Sequence, residues 1–240
     1  MRSVTLSRWL DEKWYPGISG NWDDALLRQR VLQYVGPAVR LLDLGAGAGI
    51  VPQMNFKELV AHAAGVDLDE RVCANPFLHA GHIGAIESLP LPDQSFDVVV
   101  CDNVLEHLDQ PARVFAEVRR VLRPGGVFLA KTPNRHHYMP LIARATPLWF
   151  HRFINRARGR ASIDTFPTRY RANSRKDLAR LAREAGLEIA SLQTVEGRPE
   201  YLRMWPVTYV AGHLYERLVN RFAALAGVRV ILIVEMRRPA

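Results

Sequence analysis

Leu41-Leu42-Asp43-Leu44-Gly45-Ala46-Gly47-Ala48-Gly49-Ile50 decides the fold of this 240-residue chain. The apolar run over 39–44 reads as a buried strand that ends at Asp43 or Leu44. Three glycines at alternate positions then let the backbone turn sharply and approach a ligand with no Cβ in the way. In an open parallel sheet, ligands bind beyond the carboxyl ends of the strands, where this turn falls. The spacing is Gly-x-Gly-x-Gly. It is neither the Gly-x-Gly-x-x-Gly dinucleotide fingerprint nor a phosphate loop ending in Gly-Lys-Ser/Thr. A glycine turn without a ligand is the competing reading of this stretch alone.

Working outward, residues 63–68 read as a second strand that closes in Gly65-Val66-Asp67-Leu68-Asp69. Asp67 stands 22 residues after Gly45, close to the separation of an acid that accepts hydrogen bonds from ribose hydroxyls. Asp69 is placed to serve as an ordinary helix cap. Residues 56–62 carry a short helical pattern, and 71–95 read as irregular because Pro76, Pro90 and Pro92 exclude a long helix. Val98-Val99-Val100-Cys101 is an unbroken apolar run, as a strand covered on both faces requires, and Asp102-Asn103-Val104-Leu105-Glu106-His107-Leu108 follows it. Helical spacing at Val114, Phe115, Val118, Val121 and Leu122 predicts a helix over 109–121, stopped by a tight turn at Arg123-Pro124-Gly125-Gly126. Residues 127–131 form the next strand, ended by Thr132-Pro133-Asn134. This alternation argues for right-handed crossovers and a parallel sheet.

The flanks differ in texture. Trp9, Trp14, Tyr15 and Trp22 crowd residues 1–24 and suggest a segment lying over something apolar; Asn21 or Asp23 is placed to cap a helix ended by Gly36-Pro37. From Met139, Leu141, Ile142, Trp149, Phe150 and Phe153 interleave with Arg144, Arg152 and Arg156. Asn173 or Ser174 caps a helix through Leu178, Leu181, Ala182 and Ala185 that stops at Gly186, and a strand starts over 187–189. A stripe at Leu214, Leu218, Phe222 and Leu225 predicts a helix over 209–225, and 228–236 is a β-rich final strand.

The length suits one α/β domain with additions, and 48% hydrophobic with 23% charged residues is ordinary globular composition. Cys73 and Cys101 stand apart with no metal-ligand spacing, so neither a disulfide framework nor a zinc site is implied and a reducing cytoplasm is expected. No stretch is long and apolar enough for a signal peptide or a spanning helix. The net charge of +8 is concentrated: residues 144–183 hold ten arginines and one lysine against Asp164 and Asp177. Such a patch suits nucleic acid, an anionic membrane or an anionic substrate, or is a solvated face.

Together these pieces resemble a class I S-adenosylmethionine-dependent methyltransferase of the broad small-molecule (type 11-like) group. The motifs are the glycine stretch 41–49, Gly65-Val66-Asp67-Leu68-Asp69, residues 87–99 (Glu87-Ser88-Leu89-Pro90 through Phe96-Asp97-Val98-Val99), Val104-Leu105-Glu106-His107-Leu108 and Leu122-Arg123-Pro124-Gly125-Gly126. They cover about 39–135, with a weaker echo over 174–189. The resemblance implies a Rossmann-like sheet of about seven strands, mostly parallel with one antiparallel, flanked by helices. It implies one methyltransferase domain over 1–240: a helical and aromatic cover at 1–35, a cofactor-binding core at 36–135, a substrate cap at 139–172, and helices and strands completing the sheet at 173–240.

It further implies S-adenosyl-L-methionine as cofactor, S-adenosyl-L-homocysteine as product, and no metal. Gly45, Ala46, Gly47 and Gly49 would hold the methionine part, with Asp43 near its ammonium group. Asp67 would meet the ribose and Ile86 the adenine, Leu68 would be a further cofactor contact, and Asp102, Asn103 and Val104 would line the other face. Many relatives place an aspartate two residues before the position of Glu87, where it accepts from the adenine amino group. Here Ala85 stands in its place, leaving adenine selectivity to backbone groups.

Methyl transfer asks for the acceptor atom held in line at about 3 Å, and an oxygen acceptor with a high pKa also needs a base. The candidate bases are His107, His136 and His137; Asn134, Tyr138 and Tyr170 are candidate acceptor contacts. The expected partner is a small-molecule acceptor methylated at oxygen, bound by a monomer or homodimer. Residues 141–160 and 209–225 have the composition of lipid or membrane-surface helices, although an apolar stripe on a soluble helix ordinarily faces its own core. The competing functions are a cofactor-binding module without turnover and an RNA methyltransferase using 144–183. Nucleic acid is disfavoured because Asp102-Asn103 lacks an Asn-Pro-Pro-aromatic signature, and a nicotinamide dehydrogenase is disfavoured by the glycine spacing.

Overall fold

The computed structural model describes residues 2–18, 21–145, 167–200, 202–203 and 205–240. Seven strands form one sheet: β1 (Arg40–Leu44), β2 (His62–Asp67), β3 (Ala80–Ile83), β4 (Phe96–Asp102), β5 (Leu122–Pro133), β6 (Glu188–Val195) and β7 (Ile231–Arg237), in the order β3-β2-β1-β4-β5-β7-β6. The pairs β1–β2, β1–β4, β2–β3 and β4–β5 are parallel. Gly125 N–H donates to Arg238 C=O, and Arg238 N–H to Gly126 C=O. The start of β5 thus meets the end of β7, which runs antiparallel. The expected Rossmann-like, mostly parallel sheet is the one observed.

β1 and β4 are central, so both faces are covered and their side chains are apolar with little alternation. Register sets Asp43 beside Gly65 and Val100, and Asp102 beside Lys131. Chain order reverses between β1 and β4, the switch point at which open α/β sheets leave a crevice. Helix α1 spans Arg2–Trp14 and α2 spans Trp22–Val31. Helix α3 (Pro111–Val121) opens on a proline, whose missing N–H costs nothing in the first turn, and buries Val114, Phe115, Val118 and Val121. Phe115 meets Phe128 of β5 edge-on at 5.7 Å between centroids. Helix α4 spans Tyr138–Ala145. Helix α5 (Arg175–Ala185) is capped by Ser174, which accepts from Asp177 N–H, and ends at Gly186 with φ +68°.

The described residues fall in two compact units. One holds Asp24–Pro133, Leu232–Ala240 and the described part of 166–193; the other holds the described parts of 1–23, 134–165 and 194–231. In the second, helix α6 (Pro206–Arg221) is followed by a 3-10 segment, Ala223–Val228.

Several expectations change. The 71–95 region is not wholly irregular, because Ala80–Ile83 forms edge strand β3. Its Ala-Gly-His-Ile sequence has no apolar alternation, and it closes because Gly81 lets the chain pass where a Cβ would lie 2.0 Å from Val72 C=O. Residues 123–126 are not a turn between helix and strand but belong to a longer β5, with Leu122 paired to Phe96 before an irregularity in register. The 56–62 helix shrinks to a 3-10 turn, Lys57–Leu59. Leu214, Leu218 and Phe222 do not face a core: they are 64%, 50% and 53% exposed. Most of the 139–172 cap, the 141–160 segment and half of the basic 144–183 stretch lie outside the described residues. No helix among the described residues is long and apolar enough to cross a membrane.

Candidate functional site

The glycine turn leaves β1 in left-handed backbone, with φ of +75° at Gly45, +47° at Gly47 and +70° at Gly49. L side chains avoid this region, so the alternate glycines answer to conformation as well as to space. A Cβ at Gly45 would lie 2.3 Å from Val104 Cγ2, and one at Gly49 would lie 2.2 Å from Asn75 Oδ1. At Gly47 the nearest atom to such a Cβ is Asp67 Oδ2 at 3.9 Å, so the peptide there lies bare beside a carboxylate. Asp67 holds the turn: its Oδ2 accepts from Gly47 N–H at 2.8 Å and its Oδ1 from Asp69 N–H at 2.9 Å. From the other side Asn75 Nδ2 donates to Ala46 C=O at 3.0 Å and Gly47 C=O at 3.1 Å, while its Oδ1 accepts from Phe77 N–H. Leu68, just beyond Asp67, is 72% exposed, whereas Ile86 is buried in the core.

Parallel register delivers three acids to three adjacent strand ends: Asp67 on β2, Asp43 on β1 and Asp102 on β4. Asp43 is buried, and burial first, then the charges of Asp102 and Asp67, push its carboxyl well above the usual range. The neighbouring cation is Lys131 of β5, fully buried, with Nζ 3.0 Å from Asp102 Oδ1 and bonded also to Asp24 Oδ1. Asn103 has φ +53° and donates its N–H to Lys131 C=O at 3.0 Å, which fixes the turn leading into Val104. A buried carboxylate with two acidic neighbours is stabilised by a bound cation. Bare peptide beside these carboxylates therefore fits a ligand bearing an ammonium or sulfonium group.

Next to this crevice, buried Glu106 accepts from Thr132 Oγ1 at 3.1 Å, and Asn173 Nδ2 donates to Thr132 Oγ1 at 2.6 Å. Glu106 C=O accepts the N–H groups of Arg169 and Tyr170, the latter with φ +53°. His107 Nδ1 lies 3.0 Å from Pro167 C=O and its Nε2 3.8 Å from Glu106 Oε1.

Asn134, His136, His137 and Tyr138 belong to the other unit. Asn134 Nδ2 donates to Gly227 C=O and Arg229 C=O, both at 2.8 Å, and its Oδ1 accepts from His136 N–H. Its amide is thereby committed to the backbone. His136 is exposed. His137 is buried, its ring 3.9 Å from that of Tyr138, with Nε2 3.6 Å from Glu196 Oε2. Burial lowers the His137 pKa to about 4 and raises that of Glu196 to about 8, so burial favours the neutral form of each.

Sequence reasoning named every glycine and acid of the crevice but missed Asn75, Asp24 and Lys131. Asn75-Pro76 is a turn-initiating dipeptide, and Lys131 is a lone cation in an apolar strand. Those are the signals that were there to find.

A family profile described as a methyltransferase domain matches residues 42–130. A ubiquinone biosynthesis O-methyltransferase of Aromatoleum aromaticum is 30% identical over 169 residues, covering 67% of this chain and 68% of its own. A Mycolicibacterium smegmatis protein named "Probable S-adenosylmethionine-dependent methyltransferase" is 42% identical over 113 residues, 45% of this chain; the match spans only 42% of that relative's length. Among solved structures, an S-adenosylmethionine-dependent methyltransferase from Mesorhizobium loti superposes with a TM-score of 0.57 at 20% identity, covering 92% of this chain and 98% of the other. That last likeness shows the fold. With the matched region spanning the glycine turn, the acid-lined strand ends and β5, the chain belongs to the class I S-adenosylmethionine-dependent methyltransferases.

Proposed function

We propose that this enzyme transfers a methyl group from S-adenosylmethionine to a hydroxyl oxygen of a small-molecule acceptor. The observation that carries the donor assignment is the bare peptide at Gly47 held by Asp67, at strand ends where Asp67 and Asp102 also act on buried Asp43. Relatives named as O-methyltransferases support oxygen as the acceptor atom. Free Cys73 and Cys101 accord with a reducing cytoplasm.

In this reading Gly45, Ala46, Gly47 and Gly49 receive the methionine part of the cofactor and Asp43 its ammonium group. Asp67 accepts from the ribose hydroxyls, which it can do while held by two backbone N–H groups because an ionised carboxylate has about four acceptor sites. Leu68 and Ile86 flank the adenine, with Asn103 and Val104 along the opposite wall. When bound, the cofactor supplies a methyl already activated by its sulfonium. The protein's task is then to position the acceptor, exclude water and remove the hydroxyl proton. For the proton we assign His107, which shares a unit with the crevice and whose ring is oriented by donation from Nδ1 to Pro167 C=O. His137, depressed to about 4, is a weak base at pH 7.

Calorimetry with S-adenosylhomocysteine, then incubation of cell extract with methyl-labelled S-adenosylmethionine, tests the reading. Wild type binds at micromolar Kd, and Asp67→Ala weakens binding by about tenfold or more, roughly 1.4 kcal/mol. Labelled product appears as a methyl ether. Unchanged affinity in a folded Asp67→Ala protein overturns the ribose assignment, and label arriving only at nitrogen or carbon overturns the oxygen acceptor.

A further inference from the structure

Helix α6 is mounted the wrong way round for an ordinary surface helix. Its inward side is Tyr209, Gly212, Glu216 and Val219, and much of what seats it is polar. Glu216 accepts from Tyr15 Oη at 3.2 Å and from Asn220 Nδ2 at 2.6 Å. Gly212 sits there because a Cβ would lie 2.7 Å from Pro199 Cβ and 2.9 Å from Leu202 Cδ1. At about 100° per residue, the opposite side carries Val207, Leu214 and Leu218 in one narrow stripe, with Val210 and Phe222 on its two flanks. These side chains are exposed, Val207 by 81%, and Trp205 just before the helix is half exposed.

Burial of an apolar face is what ordinarily holds a surface helix in place. Here the solvent side holds more large apolar side chains than the buried side, and they form a stripe and not scattered surface leucines. The exposed charges on the helix itself have one sign. Arg217 and Arg221 are exposed on its Val210 flank; Arg217 Nε is paired at 3.4 Å with Glu216 Oε2, which lies on the buried side, and the exposed residues of 205–224 include no acid.

We propose that the outward face of α6 docks on an anionic lipid bilayer, with the Val207–Leu214–Leu218 stripe, Trp205 and Phe222 in the interface and Arg217 and Arg221 against the headgroups. Apolar residues flanked by arginine, with a tryptophan at one end, match a helix lying in the membrane plane. An anionic headgroup layer answers the exposed arginines, which a second copy of the same face, with no exposed acid over 205–224, does not. The helix rests on the surface and does not span it.

Sedimentation of the full chain with vesicles tests this, using phosphatidylcholine alone or mixed with phosphatidylglycerol. The chain is expected to pellet with the mixed vesicles and to be released by salt. Arg217→Gln with Arg221→Gln, and separately Leu214→Gln with Leu218→Gln, should each weaken binding roughly tenfold or more. Binding of S-adenosylhomocysteine by both double variants, measured alongside, should match wild type; this checks folding and separates failure here from failure of the cofactor reading. Absence of vesicle binding by wild type overturns the proposal. So does sedimentation velocity showing a wild-type dimer that Leu214→Gln with Leu218→Gln dissociates, since the face would then belong to a second copy.

Discussion

Replacing Lys131 by methionine tests whether the acid-lined strand ends depend on one buried cation. Lys131 Nζ stands 3.0 Å from Asp102 Oδ1 and is bonded to Asp24, with none of its side chain exposed and about a tenth of each partner's. At an effective dielectric near 20, unit charges at that distance attract by about 5 kcal/mol. Desolvation offsets most of that gain, so the intact arrangement adds little net stability. Removing only the cation is another matter. Methionine keeps most of the volume, so no cavity forms, but Asp24 and Asp102, each nearly nine-tenths covered, lose that cation beside Asp43. Such a loss costs about 3–5 kcal/mol, a third or more of the roughly 5–15 kcal/mol that holds a typical domain. Urea unfolding followed by circular dichroism measures it. Adding Asp24→Asn and Asp102→Asn to Lys131→Met should restore most of the loss, because the stranded charges go with the cation; this non-additivity is the signature of a shared network. A stranded carboxylate has its folded-state pKa raised above its unfolded value. The penalty in Lys131→Met is therefore full at neutral pH and shrinks as pH falls. A Lys131→Met protein within about 1 kcal/mol of wild type, or a gap indifferent to pH, would refute the argument.

Two further outcomes concern the crevice itself. Gly49→Ala forces a left-handed alanine into Asn75 Oδ1, which is pinned by Phe77 N–H; it should weaken S-adenosylhomocysteine binding about tenfold or more and cost roughly 1–3 kcal/mol of stability. Gly125→Ala is equally left-handed with no atom within 4 Å of the added Cβ, so it should cost only about 1 kcal/mol and leave binding unchanged; equal effects of the two would show that Asn75 does not brace the turn. Asp43 is pushed up in the free protein, and a cation beside it favours the ionised form, so cofactor binding should expel a proton and affinity should rise with pH between the bound and free values. Calorimetry in two buffers of different ionisation enthalpy reads that proton. Asp43→Asn should abolish its release, and identical enthalpies for wild type in both buffers would remove Asp43 from the ammonium role.

The amino-acid sequence by itself determined the parts whose signal is local. The unbroken apolar runs of β1 and β4 say that both faces are covered. The 3.6-residue spacing in α3 and the Ser174 and Gly186 ends of α5 say helix, and Gly45, Gly47 and Gly49 say left-handed backbone before any neighbour is known. Asp67 was legible because strand, turn and acid follow one another within a single crossover. Only the tertiary structure decided what depends on closure of the chain. Lys131 meets Asp24 across 107 residues, and β3 is a strand only because β2 offers it an edge. Asn75 braces the turn through contacts 28 and 29 residues back. The outward set of α6 is the clearest case: periodicity reports that one side of a helix is apolar, while which side is covered depends on Tyr15, Pro199 and Leu202, brought from elsewhere in the chain.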